Sequence, residues 1–169
     1  MTLVFLLFAC ACKREPEVAK KELTQHEANE SLVGANKARL RMEGKKIDDY
    51  IKRRNWRMTE TRSGLRYTIY EKNDNGLKPD SGQVAVINYE ISLTDGTICY
   101  SSDSTGTKGF VIGKGEIEKG IDEGILLMNQ GDKAKFILPS HLGYGLLGDA
   151  VMIPSHAILV YDVSLIEIR

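Results

Sequence analysis

The chain has 169 residues, 42% hydrophobic and 27% charged, a balance that buries a core and argues against a disordered polypeptide. Its 23 Lys and Arg match its 23 Asp and Glu, so no overall charge draws it to nucleic acid, and no nucleic-acid module is visible. Two of its 3 cysteines fall within the first twelve residues; this leaves no disulfide framework, and His26, His141 and His156 make no zinc spacing with them. Charge is unevenly spread. Residues 13–62 hold 14 Lys/Arg against 9 Asp/Glu, and residues 63–169 hold 9 against 14, the pattern of a solvated basic face beside a mildly acidic domain.

Residues 3–9 form an apolar run far shorter than the roughly 18–20 residues that span a bilayer. The run suits the apolar core of a secretory signal. Leu7-Phe8-Ala9-Cys10 resembles the lipobox of bacterial lipoproteins, which implies lipidation of Cys10, with Cys12 after Ala11 as the alternative. Residues 1–12 are therefore expected to be a signal and lipobox segment. The resemblance implies an envelope protein anchored to a membrane by lipid and facing the periplasm.

Residues 13–31, rich in Glu, Lys, Gln and Ala, read as a flexible spacer or a poorly packed helix. From 32 to about 56, Leu32, Ala35, Leu40, Ile47, Tyr50 and Ile51 recur at near-helical spacing, and Gly34 and Gly44 interrupt an otherwise strong helix former. Residues 13–62 are thus a spacer and helical extension. Such a helix covers an edge of the main domain or offers a partner surface.

At Ser63-Gly64 the texture turns to β. Residues 65–71 alternate apolar and polar. In 83–93, Ala85, Ile87, Tyr89, Ile91 and Leu93 share one face, and Asp95-Gly96 predicts a hairpin into 97–101. A Ser/Thr/Gly-rich loop, a short strand at 110–112 and a helix over 117–128 follow. Ile121, Ile125 and Met128 form its apolar stripe, and Gly120 and Gly124 allow close approach to a curved sheet. Strands at 133–138 and 157–168 complete an α+β domain with an antiparallel sheet of five to six strands around one short helix.

Several residues in order carry a resemblance across 63–169: Asp95-Gly96, Ser101-Ser102, Phe110, Ile112-Gly113, Glu123-Gly124, Tyr144-Gly145, Ile153-Pro154 and Tyr161-Asp162-Val163. Together they resemble the FKBP-type peptidyl-prolyl cis-trans isomerases. With the lipobox, the chain is similar to the gliding-motility-associated lipoprotein branch of Bacteroidetes-type bacteria. The resemblance implies an FKBP-like fold over 63–169, a rotamase activity on proline-containing polypeptide clients, a role in folding exported proteins, and no cofactor or metal.

Residue by residue it assigns Tyr144 and Ile153 to catalysis. Tyr89, Cys99, Tyr100, Phe110, Ile117, Glu118, Ile121 and Tyr161 would bind substrate, with Tyr144 and the Glu118 backbone N–H donating to substrate carbonyls. The departures are specific. Cys99-Tyr100 replaces a Phe-Asp pair, so the usual pocket carboxylate is missing. Ile121 replaces a floor tryptophan, Lys108 a wall aromatic, and Met152 a branched aliphatic. A shallower pocket with reduced turnover is expected. The alternative is a weakly active or inactive FKBP-like module that binds partners, or acts as a chaperone, in an envelope complex.

Overall fold

The computed structural model describes residues 24–169. The expected signal and lipobox segment with Cys10 and Cys12, and the expected spacer up to residue 23, lie outside the described residues. The chain divides into two units, one ending at Ala35 and the other running from Asn36 to Arg169. The first helix, α1 (Gln25–Arg53), starts earlier than its apolar pattern suggests. Its start was written in the sequence as Thr24-x-x-Glu27: the Thr24 N–H donates to the Glu27 carboxylate at 3.0 Å and the Glu27 N–H to Thr24 Oγ1 at 3.4 Å, a reciprocal capping box. Residues 25–31, expected to be spacer or poorly packed helix, are helical. Gly34 and Gly44 do not interrupt α1. Leu32 and Leu40, two of the apolar residues at near-helical spacing, are exposed.

In the second unit the strands are β1 (Thr59–Glu60), β2 (Arg66–Glu71), β3 (Val84–Leu93), β4 (Ile98–Ser101), β5 (Lys108–Val111), β6 (Lys133–Leu138) and β7 (Leu159–Ile168). They form one antiparallel sheet in the order β1-β2-β6-β7-β3-β4, with β5 also paired to β3. Six of these were expected; the seventh is β1, whose two residues are too few to show alternation. The Asp95-Gly96 hairpin joins β3 to β4, with Leu93 N–H on Thr97 O at 2.9 Å. Part of the loop expected after residue 101 is a single helical turn, α2 (Ser102–Thr105), capped by Ser101 Oγ. The short helix α3 (Lys119–Ile125) sits within the expected 117–128.

Period two decides which side chains meet. Along β7, Leu159, Tyr161, Val163 and Leu165 enter the core that α3 covers, joined by Ala134, Phe136 and Leu138 of β6 and by Ala85, Ile87 and Ile91 of β3. Gly120 and Gly124 let α3 settle on β6: a Cβ at Gly120 would lie 2.5 Å from Leu138 Cγ, and one at Gly124 2.6 Å from Phe136 Cε1. The opposite face carries Ile137, Ile158 and Val160, on which Ile47 and Tyr50 of α1 pack together with Trp56 and Met58. Residues 36–62 therefore share one compact unit with 63–169. A buried Arg66 ties them further, meeting Asp48 at 3.1 Å and Glu60 at 2.8 Å. Among the described residues no helix is long and apolar enough to cross a membrane.

Candidate functional site

Between the core face of the sheet and the start of α3 a cavity of about 140 Å³ opens. Ile87, Tyr89 and Ile91 of β3 line it, with Tyr100 of β4, Lys108 of β5, Ile117 and Glu118 ahead of α3, Tyr144 of the following loop, and Tyr161 of β7. A cavity near 150 Å³ takes a benzene ring, so this one has room for a five-membered pyrrolidine. Three branched aliphatic side chains and the rings of four tyrosines give it apolar surface, while the tyrosine hydroxyls, Lys108 and Glu118 bring polar groups to the same wall.

Each tyrosine is held differently. The Tyr89 hydroxyl pairs with Thr105 Oγ1 at 2.9 Å, while its N–H donates to Ser102 Oγ at 3.1 Å. Ser101-Ser102 and α2 thus serve to set this wall. The Tyr100 hydroxyl donates to Asp149 Oδ2. That hydrogen bond pushes the Tyr100 phenol up to about 12 and holds Asp149 down at about 2. Asp149 Oδ1 also accepts the N–H groups of Val151, Met152 and Ile153 at 2.9, 2.9 and 2.7 Å, closing the turn that leads to Ile153-Pro154.

Burial, then the nearby Glu118 carboxylate, push the Tyr144 phenol up. The same two causes, burial first, push Tyr161 well above its ordinary range. Both phenols stay protonated and able to donate at any physiological pH. The Tyr161 hydroxyl is buried without a hydrogen-bond partner among the described residues.

Of the ten residues the resemblance named, Tyr89, Tyr100, Ile117, Glu118, Tyr144 and Tyr161 line the cavity together. Phe110, Ile121 and Ile153 are buried in the hydrophobic core. Cys99 is half-buried beside the hairpin, its thiol 3.8 Å from Met152 O, and burial pushes that thiol up. Ile87 and Ile91, which strand alternation marks only as sharing one face, also line the cavity. Loss of the Phe-Asp carboxylate does not leave the site without one, since Glu118 lines the cavity and Asp149 anchors Tyr100 from the opposite loop. The Glu118 backbone N–H, assigned to a substrate carbonyl, has no acceptor among the described residues.

Residues 76–166 match the family model for FKBP-type peptidyl-prolyl cis-trans isomerase. The FKBP-type peptidyl-prolyl cis-trans isomerase FkpA of Aeromonas hydrophila is 36% identical over 163 residues, covering 93% of this chain; the chain spans 59% of that protein's length. The peptidyl-prolyl cis-trans isomerase Fkbp12 of Drosophila melanogaster is 34% identical over 107 residues, covering 63% of this chain and 99% of that protein. The crystal structure of FkpA from Escherichia coli superposes with a TM-score of 0.65 at 24% identity, over 88% of this chain and 74% of the other. At that identity the superposition speaks for the fold.

Proposed function

The chain belongs to the FKBP-type peptidyl-prolyl cis-trans isomerase family, and from that premise we propose that its cavity takes the proline ring of an X-Pro segment and speeds rotation about the preceding amide. Amide resonance sets a barrier of about 18–20 kcal/mol, so unaided isomerisation takes tens to hundreds of seconds. Twisting the bond breaks that resonance and reduces charge separation, so a dry aliphatic surface favours the twisted state over the planar one. Ile87, Ile91 and Ile117 supply that surface. The Tyr144 hydroxyl and the Glu118 N–H would donate to the carbonyls of the bound segment; both residues line the cavity. The single observation that carries this reading is a ring-sized cavity with the Tyr144 phenol on its wall. A protease-coupled assay on a proline tetrapeptide tests it: turnover above the spontaneous rate is expected, and a rate equal to background rejects it.

For location, the reading extends to an exported lipoprotein of the bacterial envelope, anchored at Cys10 or Cys12 and facing the periplasm, in the manner of the gliding-motility-associated branch. Its clients would be exported proteins as they fold. The Leu7-Phe8-Ala9-Cys10 sequence supports it, and mass spectrometry of the mature N-terminal peptide distinguishes an acylated cysteine from an unprocessed leader. A second reading, a binding or chaperone module with little turnover, draws on Lys108 in the cavity wall and on exposed Leu146, Leu147 and Val151 around the tyrosine loop. Suppression of client aggregation that survives loss of isomerisation would favour that module.

A further inference from the structure

We propose that Glu43 of α1 is a positioning residue for Tyr144, so that a helix lying outside the residues matched by the family sets the geometry of the cavity; this rests on the isomerase reading above. Glu43 is a carboxylate that the sequence places on a basic, solvent-directed helix, yet it is only 5% exposed. Burying a carboxylate is costly unless its oxygens are satisfied. Here both are: Oε2 accepts the Ser140 N–H at 2.9 Å and Oε1 accepts the Ser140 hydroxyl at 2.8 Å. Ser140, itself buried, then organises the residues that bracket Tyr144, because its carbonyl accepts the N–H of Gly143 at 3.1 Å and of Gly145 at 2.8 Å.

A second contact from the same helix face closes the far end of the loop. Arg39, one turn before Glu43, donates to His156 Nδ1 at 3.2 Å, and the His156 N–H donates to the Gly145 carbonyl at 2.9 Å. The loop from Ser140 to His156 carries Tyr144, Asp149 and Ile153. It is therefore held at both ends by residues four apart on α1, while Ile47 and Tyr50 fix that helix to the back of the sheet. The Tyr144 phenol must meet a carbonyl to within a fraction of an ångström to matter, and its backbone is aimed by these bonds.

The test compares full-length wild type with Glu43→Ala, Glu43→Gln and Ser140→Ala, reading amide hydrogen exchange by residue together with kcat/KM on a proline tetrapeptide. In Glu43→Ala the Gly143 and Gly145 amides are expected to exchange about ten-fold faster while β7 amides keep their protection, and kcat/KM falls about ten-fold. Glu43→Gln, whose carbonyl still accepts one Ser140 bond, restores most of both. Should Glu43→Ala not fold, Ser140→Ala removes the hydroxyl bond alone and is expected to shift both readouts about three-fold in the same direction. Unchanged exchange at Gly143 and Gly145 overturns the proposal, as does equal loss of protection in the loop and β7, which marks a merely structural role. If loop exchange quickens but the wild type does not turn over the peptide, the isomerase reading falls and the hold of Glu43 on the loop stands.

Discussion

Tyr144 and Tyr161 both bring a hydroxyl to the cavity, but only Tyr144 sits on a loop where a donor can adjust to a substrate. A neutral hydrogen bond contributes about 0.5–1.5 kcal/mol, so Tyr144→Phe is expected to lower kcat/KM by about 2- to 12-fold without shifting the urea midpoint. An unchanged kcat/KM would remove the hydroxyl from the mechanism. Tyr161 is the opposite case, since its buried hydroxyl makes no close hydrogen bond among the described residues and its ring is core. Deleting an unpaired buried hydroxyl relieves a desolvation cost, so Tyr161→Phe is expected to raise stability by about 1 kcal/mol; a lowered urea midpoint would reveal a partner. Asp149 governs the acid response. Its folded value of about 2 lies below the ordinary 3.8, so its contribution is whole above about pH 4 and lost as pH falls towards 2. Tyr100, raised to about 12 from 10.0, works in the other direction: the bond is whole below pH 10 and lost as pH climbs to 12. Carboxyl-carbon NMR should therefore find Asp149 titrating near 2, with the Val151 and Ile153 amide shifts following it; titration at 3.8 would contradict the bond.

At the scale of elements, α3 shows how close packing overrides propensity. Replacing glycine by alanine in a helix gains about 1 kcal/mol, but at Gly124 the new methyl would lie 2.6–3.0 Å from three atoms of the fully buried Phe136 ring. Overpacking costs about 1–3 kcal/mol. Gly124→Ala is therefore expected to destabilise by up to about 2 kcal/mol in urea unfolding, whereas Gly34→Ala, with nothing within 4 Å, gains helix content by circular dichroism. Both glycines are helical, and the sequence alone separates them only through the apolar stripe of α3. The strands were legible for a similar reason: alternation in residues 65–71 and 83–93 marked β2 and β3, and Asp95-Gly96 fixed the hairpin. Glu43 and Arg66 were not, because a charge reads as exposed until its partners are known, and Ser140 lies 97 positions from Glu43. In the site, Tyr144 and Tyr161 were recognisable from their motifs. Ile87 and Ile91 were missed as cavity lining because a core-facing strand residue and a pocket-lining one have the same pattern. Ile153 and Phe110 were singled out by their motifs, and both lie in the buried core.

The molecule as a whole raises the question of what the isomerase half needs in order to fold. The family match begins at residue 76, and the change to β texture at residue 63 suggests a boundary there. Yet the back of the sheet presents Ile137, Ile158 and Val160, all buried, and their cover is Ile47, Tyr50, Trp56 and Met58. Burial of each large apolar side chain is worth about 1.5–3 kcal/mol, an upper figure because the unfolded chain is already partly compact. Removing that cover forfeits on the order of 5 kcal/mol, against a total of about 5–15 kcal/mol for an ordinary domain. It also strips Arg66 of Asp48 and Glu60, leaving a buried guanidinium bonded only to the Gly64 carbonyl, and it removes β1 from the sheet edge. A chain of residues 36–169 should therefore unfold cooperatively and elute as a discrete species, while one of residues 63–169 should melt at markedly lower temperature or aggregate through the bared strip on β6 and β7. Matching melting temperatures for the two would mean that α1 merely rests on the sheet, and the coupling of Glu43 to the tyrosine loop would lose its anchor.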